Sequence, residues 1–336
     1  MGGRLPVQWE NEAPAVEAGG TSWSLWSSEE LLAREAPLFD ASAVALGTFD
    51  GVHLGHRRIF AEAAALAGAR GWAAVAFTFD RHPAQVTAPE RAPRLLTTFP
   101  RRLQLILGTG IGRAVVVRFD ANFAQLPPEE FVRRILHGAL GARAVVVGPD
   151  FRFGFRARGD VQLLERMASE LGYSLHVVPP VTVDGEKVSS TSIRSRIARG
   201  DVEGAARLLG RPFSLEGTVV PGAARGRVLG YPTANLAVEA DLAVPADGVY
   251  LTHTRDPEAG LGPLPGLTVI GTRPSFGPGE RSVETFLLDF QGDLYGRRLE
   301  IAFLARLREV IPFSGAESLV RQIEADVAQA RAYFGM

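Results

Sequence analysis

Ala43-Val44-Ala45-Leu46-Gly47-Thr48-Phe49-Asp50-Gly51-Val52-His53-Leu54-Gly55-His56 decides how the first half of the chain is read. It opens as an apolar, β-rich run, passes three glycines, and leads into Arg57–Leu66, which has helical apolar spacing. A strand that turns directly into a helix brings backbone N–H groups and the helix dipole to one place, and both favour an anion. His53 and His56 stand three residues apart at that helix start and can point the same way. Gly47, Gly51 and Gly55 let the backbone approach a nucleotide closely. Such a site suits ATP, with the imidazoles stabilising charge that builds up on the phosphates during an in-line displacement. A chance His-x-Gly-His is expected about 0.01 times in this composition, and a zinc pair lacks an evident third ligand nearby.

Further β-rich runs follow at Ala73–Phe79, Ala114–Phe119, Ala144–Gly148 and Ser174–Val178. Helical segments at Arg101–Leu107, Pro128–Leu136 and Asp160–Leu171 lie between them. Strands alternating with helices read as βαβ units around a parallel sheet. After about residue 213 the texture changes to short strands punctuated by Gly and Pro: Leu215–Val220, Gly248–His253, Leu267–Gly271, Ser282–Phe290 and Leu299–Leu304. One long helix ends the chain, with Ser314 and Glu317 as its capping box and Leu319, Ile323, Val327 and Phe334 on one face. This half reads as a small antiparallel barrel closed by a helix. Thr191–Leu209, a helical pair broken at Gly200–Asp201, joins the halves.

Composition narrows the chemistry. The 336 residues are 46% apolar and 22% charged, as in globular proteins of about two domains. With no cysteine, disulfides, thiolate catalysis and Cys-ligated metals are excluded. Lys187 is the sole lysine and no Gly directly precedes it, so a GxxxxGK[ST] phosphate loop is excluded. The 36 basic and 37 acidic residues nearly cancel, and they form no block of like charge. The chain is therefore expected to engage neither nucleic acid nor membrane. The first 22 residues read as a loose tail without a targeting segment, and the location expected is cytoplasmic.

Three further stretches belong with the first histidines. Ser189-Ser190-Thr191-Ser192-Ile193-Arg194 puts hydroxyls and one Arg at a helix start, either as a second phosphate clamp or as an ordinary cap. Val147-Gly148-Pro149-Asp150-Phe151-Arg152-Phe153-Gly154 and Thr78-Phe79-Asp80-Arg81-His82-Pro83 both follow strands, where open α/β sheets bind ligands. Phe79 and Phe151 could stack on a planar ring, with core packing an equal alternative. Gly108-Thr109-Gly110-Ile111-Gly112 is not a dinucleotide loop, because Arg113 holds the sixth position and the run precedes a strand.

A second site is written in Gly222-Ala223-Ala224-Arg225-Gly226-Arg227-Val228-Leu229-Gly230-Tyr231-Pro232-Thr233-Ala234-Asn235-Leu236. Its glycines allow a mobile loop to fold over phosphates. Thr233 and Asn235 alternate along an extended strand and face one side. Their oxygens are hard ligands suited to Mg²⁺ carried by ATP. Glu284 shares a strand face with Phe286 and Leu288, where a carboxylate is costly unless it works or is paired. It is a candidate general base, with an exposed edge-strand Glu as the bland alternative.

With these motifs in order, the chain resembles the bacterial bifunctional riboflavin kinase/FAD synthetase family from about Val44 to Phe334. FDGVHLGH, TFDRHP, VGPDFRFG and SSTSIR carry the first half; GRVLGYPTANL, GVY, IGTRPSF, VETFLLDF and LYG carry the second. The resemblance implies a Rossmann-like nucleotidylyltransferase domain over residues 23–198 and a flavokinase barrel over 199–336. It implies that riboflavin plus ATP gives FMN and ADP, and that FMN plus ATP then gives FAD and pyrophosphate. Mg²⁺ would accompany ATP, while FMN and FAD would be substrate and product and not tightly held groups.

By resemblance, Gly47, Phe49, Asp50, Gly51, His53, His56, Asp150, Ser190, Thr191 and Arg194 bind the ATP of adenylyl transfer, with His53, His56 and Arg194 acting in catalysis. Phe79, His82 and Pro83 would contact the flavin there. Gly222, Gly226, Arg227, Gly230, Pro232, Thr233 and Asn235 would hold the kinase ATP, Thr233 and Asn235 also its metal, and Glu284 would activate the ribityl hydroxyl. The chain departs from the family pattern at Asp80-Arg81, where Glu-Pro is frequent, and at Val269, where Asn is common. Two rivals are an adenylating ligase, whose second signature needs a lysine near the loop, and a flavin sensor without turnover, which intact Thr233, Asn235 and Glu284 argue against. Since the two sites fall in different halves, residues 212–336 alone are expected to make FMN and no FAD.

Overall fold

Val44, Val75, Val115 and Val145 come from four successive apolar runs, and each is 0–1% exposed. β-Branched residues covered on both faces are what a parallel sheet demands. The computed structural model describes residues 22–222, 226, 229–272 and 281–336. By their contacts the chain divides into two compact units: the residues up to Leu95 with Phe99–Ser190, and Leu96–Thr98 with Thr191–Met336.

In the first unit the strands are β1 (Ser22–Trp26), β2 (Ser42–Leu46), β3 (Ala73–Phe79), β4 (Arg113–Val117), β5 (Ala142–Val147) and β6 (Ser174–Val177). They form one parallel sheet in the order β1-β4-β3-β2-β5-β6. A small antiparallel hairpin, β7 (Thr182–Val183) and β8 (Glu186–Lys187), follows. The helices are α1 (Ser28–Leu32), α2 (Leu54–Arg70), α3 (Phe99–Leu107), α4 (Phe131–Ala139) and α5 (Val161–Leu171). Alternation along β2 separates two cores. Val44 and Leu46 pack with Leu31, Ile135 and Leu164 on one face, and Ala45 packs with Phe60 and Ile106 on the other. The connections run from β2 towards β3 on one side and from β5 towards β6 on the other. The switch point of the sheet therefore lies between the ends of β2 and β5.

One element is added and one local reading changes. Ser22, read as the last residue of a tail, and residues 23–26, read as the start of a domain, form the edge strand β1 beside β4. The helix expected over Pro128–Leu136 is an α-turn only at Pro128–Glu130, and Phe131–Ala139 then winds as a π-helix. Leu140 N–H donates to Ile135 O at 2.9 Å, the wider spacing of that form.

The second unit is a closed antiparallel barrel of β9 (Phe213–Val220), β10 (Ala234–Ala237), β11 (Gly248–Asp256), β12 (Leu261–Thr272), β13 (Arg281–Leu287) and β14 (Arg298–Arg308). Their order is β10-β13-β12-β11-β14-β9. Thr252, Thr268 and Thr285 are 0% exposed and joined hydroxyl to hydroxyl at 2.9 and 3.1 Å, so these three buried hydroxyls satisfy one another. Ahead of the barrel stand α6 (Ser190–Ala198) and α7 (Val202–Leu209), the helical pair expected.

The final helix α8 (Ala316–Phe334) starts later than expected. Ser314 and Glu317 do not form its capping box; Gly315 is the N-cap, and its N–H is met by Ser318 Oγ at 3.3 Å. Ala330, Val327 and Phe334 pack against Val249, Leu251 and Leu267. Arg308 of β14 clasps the helix through Asp326, which accepts from its Nε at 2.9 Å and Nη2 at 2.7 Å. Asp326 is 3% exposed. Asp326→Ala leaves a guanidinium without its carboxylate in a largely buried place and should cost about 3 kcal/mol. A lower denaturant midpoint of barrel unfolding is the measurement, and an unchanged midpoint would count against the clasp.

Candidate active sites

The first site stands at the switch point. Its loop leaves β2 and bends through left-handed backbone at Phe49 (φ 52°), Gly51 (φ 82°) and Val52 (φ 42°). Two non-glycine residues in that region are held there by their surroundings, a form of strain that collects at functional loops. Phe49 is 1% exposed and packs on Phe60 at 4.4 Å between ring centroids. Its ring fills the space a side chain at 47 would need, since a Cβ there would lie 2.7 Å from it. The loop then ends on His53, the N-cap of α2, whose Nδ1 accepts from His56 N–H at 3.2 Å. The two imidazoles stack with centroids 3.6 Å apart, and Phe49 meets His56 edge-on at 5.3 Å. The spacing read from sequence thus becomes one stacked pair over a helix N-terminus.

A cavity of about 340 Å³ opens over this pair. Gly47, Phe49, His53, Gly55 and His56 line it from the β2 side, and Pro149, Asp150 and Phe151 from the β5 side. Lys187 and Ser189 complete it. Asp50, 1% exposed, and Gly51 do not line it among the described residues. Ser190 supports the loop from outside, its hydroxyl donating to Asp50 O at 2.9 Å. Thr191 and Arg194 fall in the second unit, Thr191 exposed and Arg194 half-buried.

The sequence reading passed over Lys187 as a site residue. Its Nζ donates to Asp150 Oδ2 at 2.5 Å on the cavity wall. The available signal was its rarity, one lysine in a chain otherwise using arginine, three residues ahead of Ser190.

The Thr78–Pro83 stretch stands at the end of the adjacent strand β3. Phe79 packs on Phe119 at 5.0 Å and Phe123 at 5.6 Å, so its ring is tied into the core. His82 Nδ1 accepts from Ala84 N–H at 3.1 Å, and Pro83 begins the helical turn Ala84–Thr87. None of Phe79, His82 and Pro83 lines the 340 Å³ cavity among the described residues.

In the barrel, strand register makes the second site. Asn235 of β10 lies opposite Glu284 of β13, and Glu284 lies opposite Val269 of β12. Directly paired residues project on the same face, so amide, carboxylate and Val269 stand in one row. Glu284 is 8% exposed and accepts from Ser282 Oγ at 3.1 Å and, at a longer 3.4 Å, from Thr233 Oγ1. Asn235 is also 8% exposed, and its Oδ1 has no hydrogen-bond partner among the described residues. A buried amide oxygen left open is the feature a hard cation would satisfy.

Gly222 is required locally, because a Cβ there would collide with the Asn235 amide. Gly226 is required as well, since a Cβ there would press on Tyr231 O, and Gly230 has φ 87°. Pro232 and Thr233 line a cavity of about 610 Å³ together with Thr285 and Tyr295. Asn235 and Glu284 lie on the opposite face of the same strands and do not line it. Arg227 and the Arg273–Phe276 part of the IGTRPSF run lie outside the described residues.

A parallel sheet with a nucleotide-type loop at its switch point, followed by a barrel with a Thr/Asn/Glu cluster, defines a two-module phosphate-transferring enzyme. The FAD synthetase family model matches residues 37–192, and the riboflavin kinase family model matches residues 209–334. The chain belongs to the bifunctional riboflavin kinase/FMN adenylyltransferase family. A relative of that name from Pseudomonas fluorescens is 39% identical over 85% of this chain and 91% of its own. Those from Escherichia coli K12 and Listeria monocytogenes are 33% and 36% identical, over 88% and 87% of this chain and 94% and 92% of their own. A crystal structure described as a macrolide-efflux protein from Streptococcus pneumoniae superposes with TM-score 0.80 at 30% identity, covering 91% of this chain and 98% of that one. Among the described residues no helix is long and apolar enough to cross a membrane.

Proposed function

We propose that the protein makes FAD in two ATP-dependent steps with the residues assembled above. In the barrel, the ribityl 5′-hydroxyl of riboflavin attacks the γ-phosphorus of ATP, ADP leaves, and Glu284 takes the hydroxyl proton. The carboxylate has about four lone-pair sites. Hydroxyls of Ser282 and Thr233 each donate to one of them, which orients the carboxylate within its row. Thr233 and Asn235 hold the Mg²⁺ that accompanies ATP, a reading supported by the buried Asn235 Oδ1, which has no hydrogen-bond partner among the described residues. Bound there, the ion supplies neutralisation of phosphate charge.

In the sheet unit, a phosphate oxygen of FMN attacks the α-phosphorus of a second ATP and pyrophosphate leaves. His53 and His56, with the N–H groups opening α2, carry the charge that develops on the phosphates. Gly47, Phe49 and Asp150 shape the nucleotide cavity, and Asp50, Gly51 and Ser190 hold its loop. Thr191 and Arg194 complete the phosphate clamp, while Phe79, His82 and Pro83 receive the flavin. Residues 23–198 would perform adenylyl transfer and 199–336 phosphorylation, in a cytoplasmic enzyme. The single observation that carries the adenylyl-transfer assignment is the stacked His53–His56 pair facing a cavity at the switch point. Riboflavin with Mg-ATP should yield FMN and then FAD on chromatography, and FMN with ATP should release pyrophosphate. Absence of both products would overturn the reading.

Separability is also expected, but from a longer fragment than residues 212–336. Leu208 and Leu209 of α7 are 2% and 1% exposed and belong to the barrel unit, so a cut at 212 uncovers its core. Thr191–Met336 keeps both helices. It loses the Thr98 hydroxyl on Glu216 but retains the Arg298–Glu216 pair at 3.0 Å. It should make FMN and no FAD, and FAD from this fragment would refute the division of labour.

A further inference from the structure

Arg102 of α3 is 2% exposed, on a helix whose other buried side chains are Leu103, Leu105, Ile106 and Leu107. Packing alone does not call for a cation here, since a well-packed apolar residue in place of a buried charge is often neutral or stabilising. Its Nη2 donates to Phe79 O at 2.5 Å and to Asp80 O at 3.3 Å. Phe79–Val117 is the last registered pair of β3 with β4, so these carbonyls sit where the ladder runs out. The carboxylates of Asp50 and Asp80 face its charge, while burial pulls its pKa below the ordinary guanidinium value. Asp80 also receives Phe119 N–H at 2.9 Å, and Thr78 Oγ1 donates to Thr48 O at 3.2 Å. Arg102 therefore lies beneath two loops, the one carrying Asp50 and His53 and the one running Phe79–Pro83.

We infer that Arg102 is a positioning residue for adenylyl transfer: from under the sheet's end it fixes the Phe79–Pro83 backbone in the shape that receives FMN. The inference rests on the reading that this loop contacts the flavin. It has a kinetic signature. A displaced flavin loop weakens FMN binding and leaves the ATP cavity over α2 in place. A merely structural loss lowers the amount of active enzyme and leaves both KM values alone.

The test uses the full chain carrying Arg102→Met, Arg102→Lys or His82→Ala. FAD formation is followed with FMN and ATP varied separately, and riboflavin phosphorylation is measured alongside. Arg102→Met should raise KM for FMN by about tenfold, a modest share of what misplacement of reacting groups can cost. KM for ATP should stay within about twofold, which is below the effect of losing a contact made to ATP itself. Arg102→Lys should fall between parent and Met, because an ammonium keeps the charge and loses the planar fork. The inference is overturned if kcat falls with both KM values unchanged, if both rise together, or if FAD synthesis is unaltered. Should the Met variant not fold, the Lys variant decides by the same criterion. An unchanged KM for FMN in His82→Ala would overturn the reading of the flavin loop itself, whatever Arg102 does.

Discussion

Full-length protein carrying both His53→Ala and His56→Ala should turn riboflavin and ATP into FMN and stop there. Each imidazole that faces developing phosphate charge is worth about 10²–10³ in rate when removed. The pair acts together, stacked at 3.6 Å with the Nδ1 of one capping the backbone of the other. Their losses should therefore fall short of multiplying. His53→Ala also removes the N-cap of α2, a loss of about 1 kcal/mol in stability. The kinase rate of the same preparation reports on the barrel, and circular dichroism and the unfolding midpoint report on the sheet unit. Rates of FAD formation from supplied FMN, followed by chromatography, are the measurement. Undiminished FAD formation in the double variant would remove the histidines from the mechanism.

Glu284→Gln should produce the complementary defect. The ribityl 5′-hydroxyl is a weak nucleophile at neutral pH, and loss of a positioned base costs about 10²–10⁴. Glutamine keeps the shape and can still accept from Ser282 and Thr233, whose hydroxyls lie 3.1 and 3.4 Å from the carboxylate. It also stays beside Asn235 in the register of β10 and β13, so the fold should hold. FMN should form slowly, because positioning and charge neutralisation carry most of phosphoryl transfer. Supplied FMN should become FAD at the parent rate. A kinase rate within about threefold of the parent would be too small for loss of a base. Equal loss of both activities would point to misfolding instead.

Much of this was legible in the chain. Apolar runs alternating with helices announce a parallel sheet because strands covered on both faces have no polar side to show. The His-x-Gly-His spacing announces a helix N-terminus, and Thr233-Ala234-Asn235 announces a strand face, since both rest on local periodicity. Other features were hidden by local reasoning. The box expected from Ser314 and Glu317 gave way to Gly315 and Ser318, a shift of one residue that sequence patterns seldom resolve. The π-helix at Phe131–Ala139 carries a helical pattern that does not distinguish it from an α-helix.

Most of the elements and the two modules were legible in the sequence alone, through the periods of 2 and 3.6 that burial imposes on neighbouring residues, and short motifs marked the candidate site residues. Only the tertiary structure decided which of those residues meet. The β10–β13 and β12–β13 registers set Asn235 and Val269 on either side of Glu284, pairings across 49 and 15 positions of chain. The turn of β5 into the switch point set Asp150 against Lys187, and the end of β3 placed two carbonyls over Arg102. Such contacts depend on where distant backbones stop beside each other, and no local period encodes that.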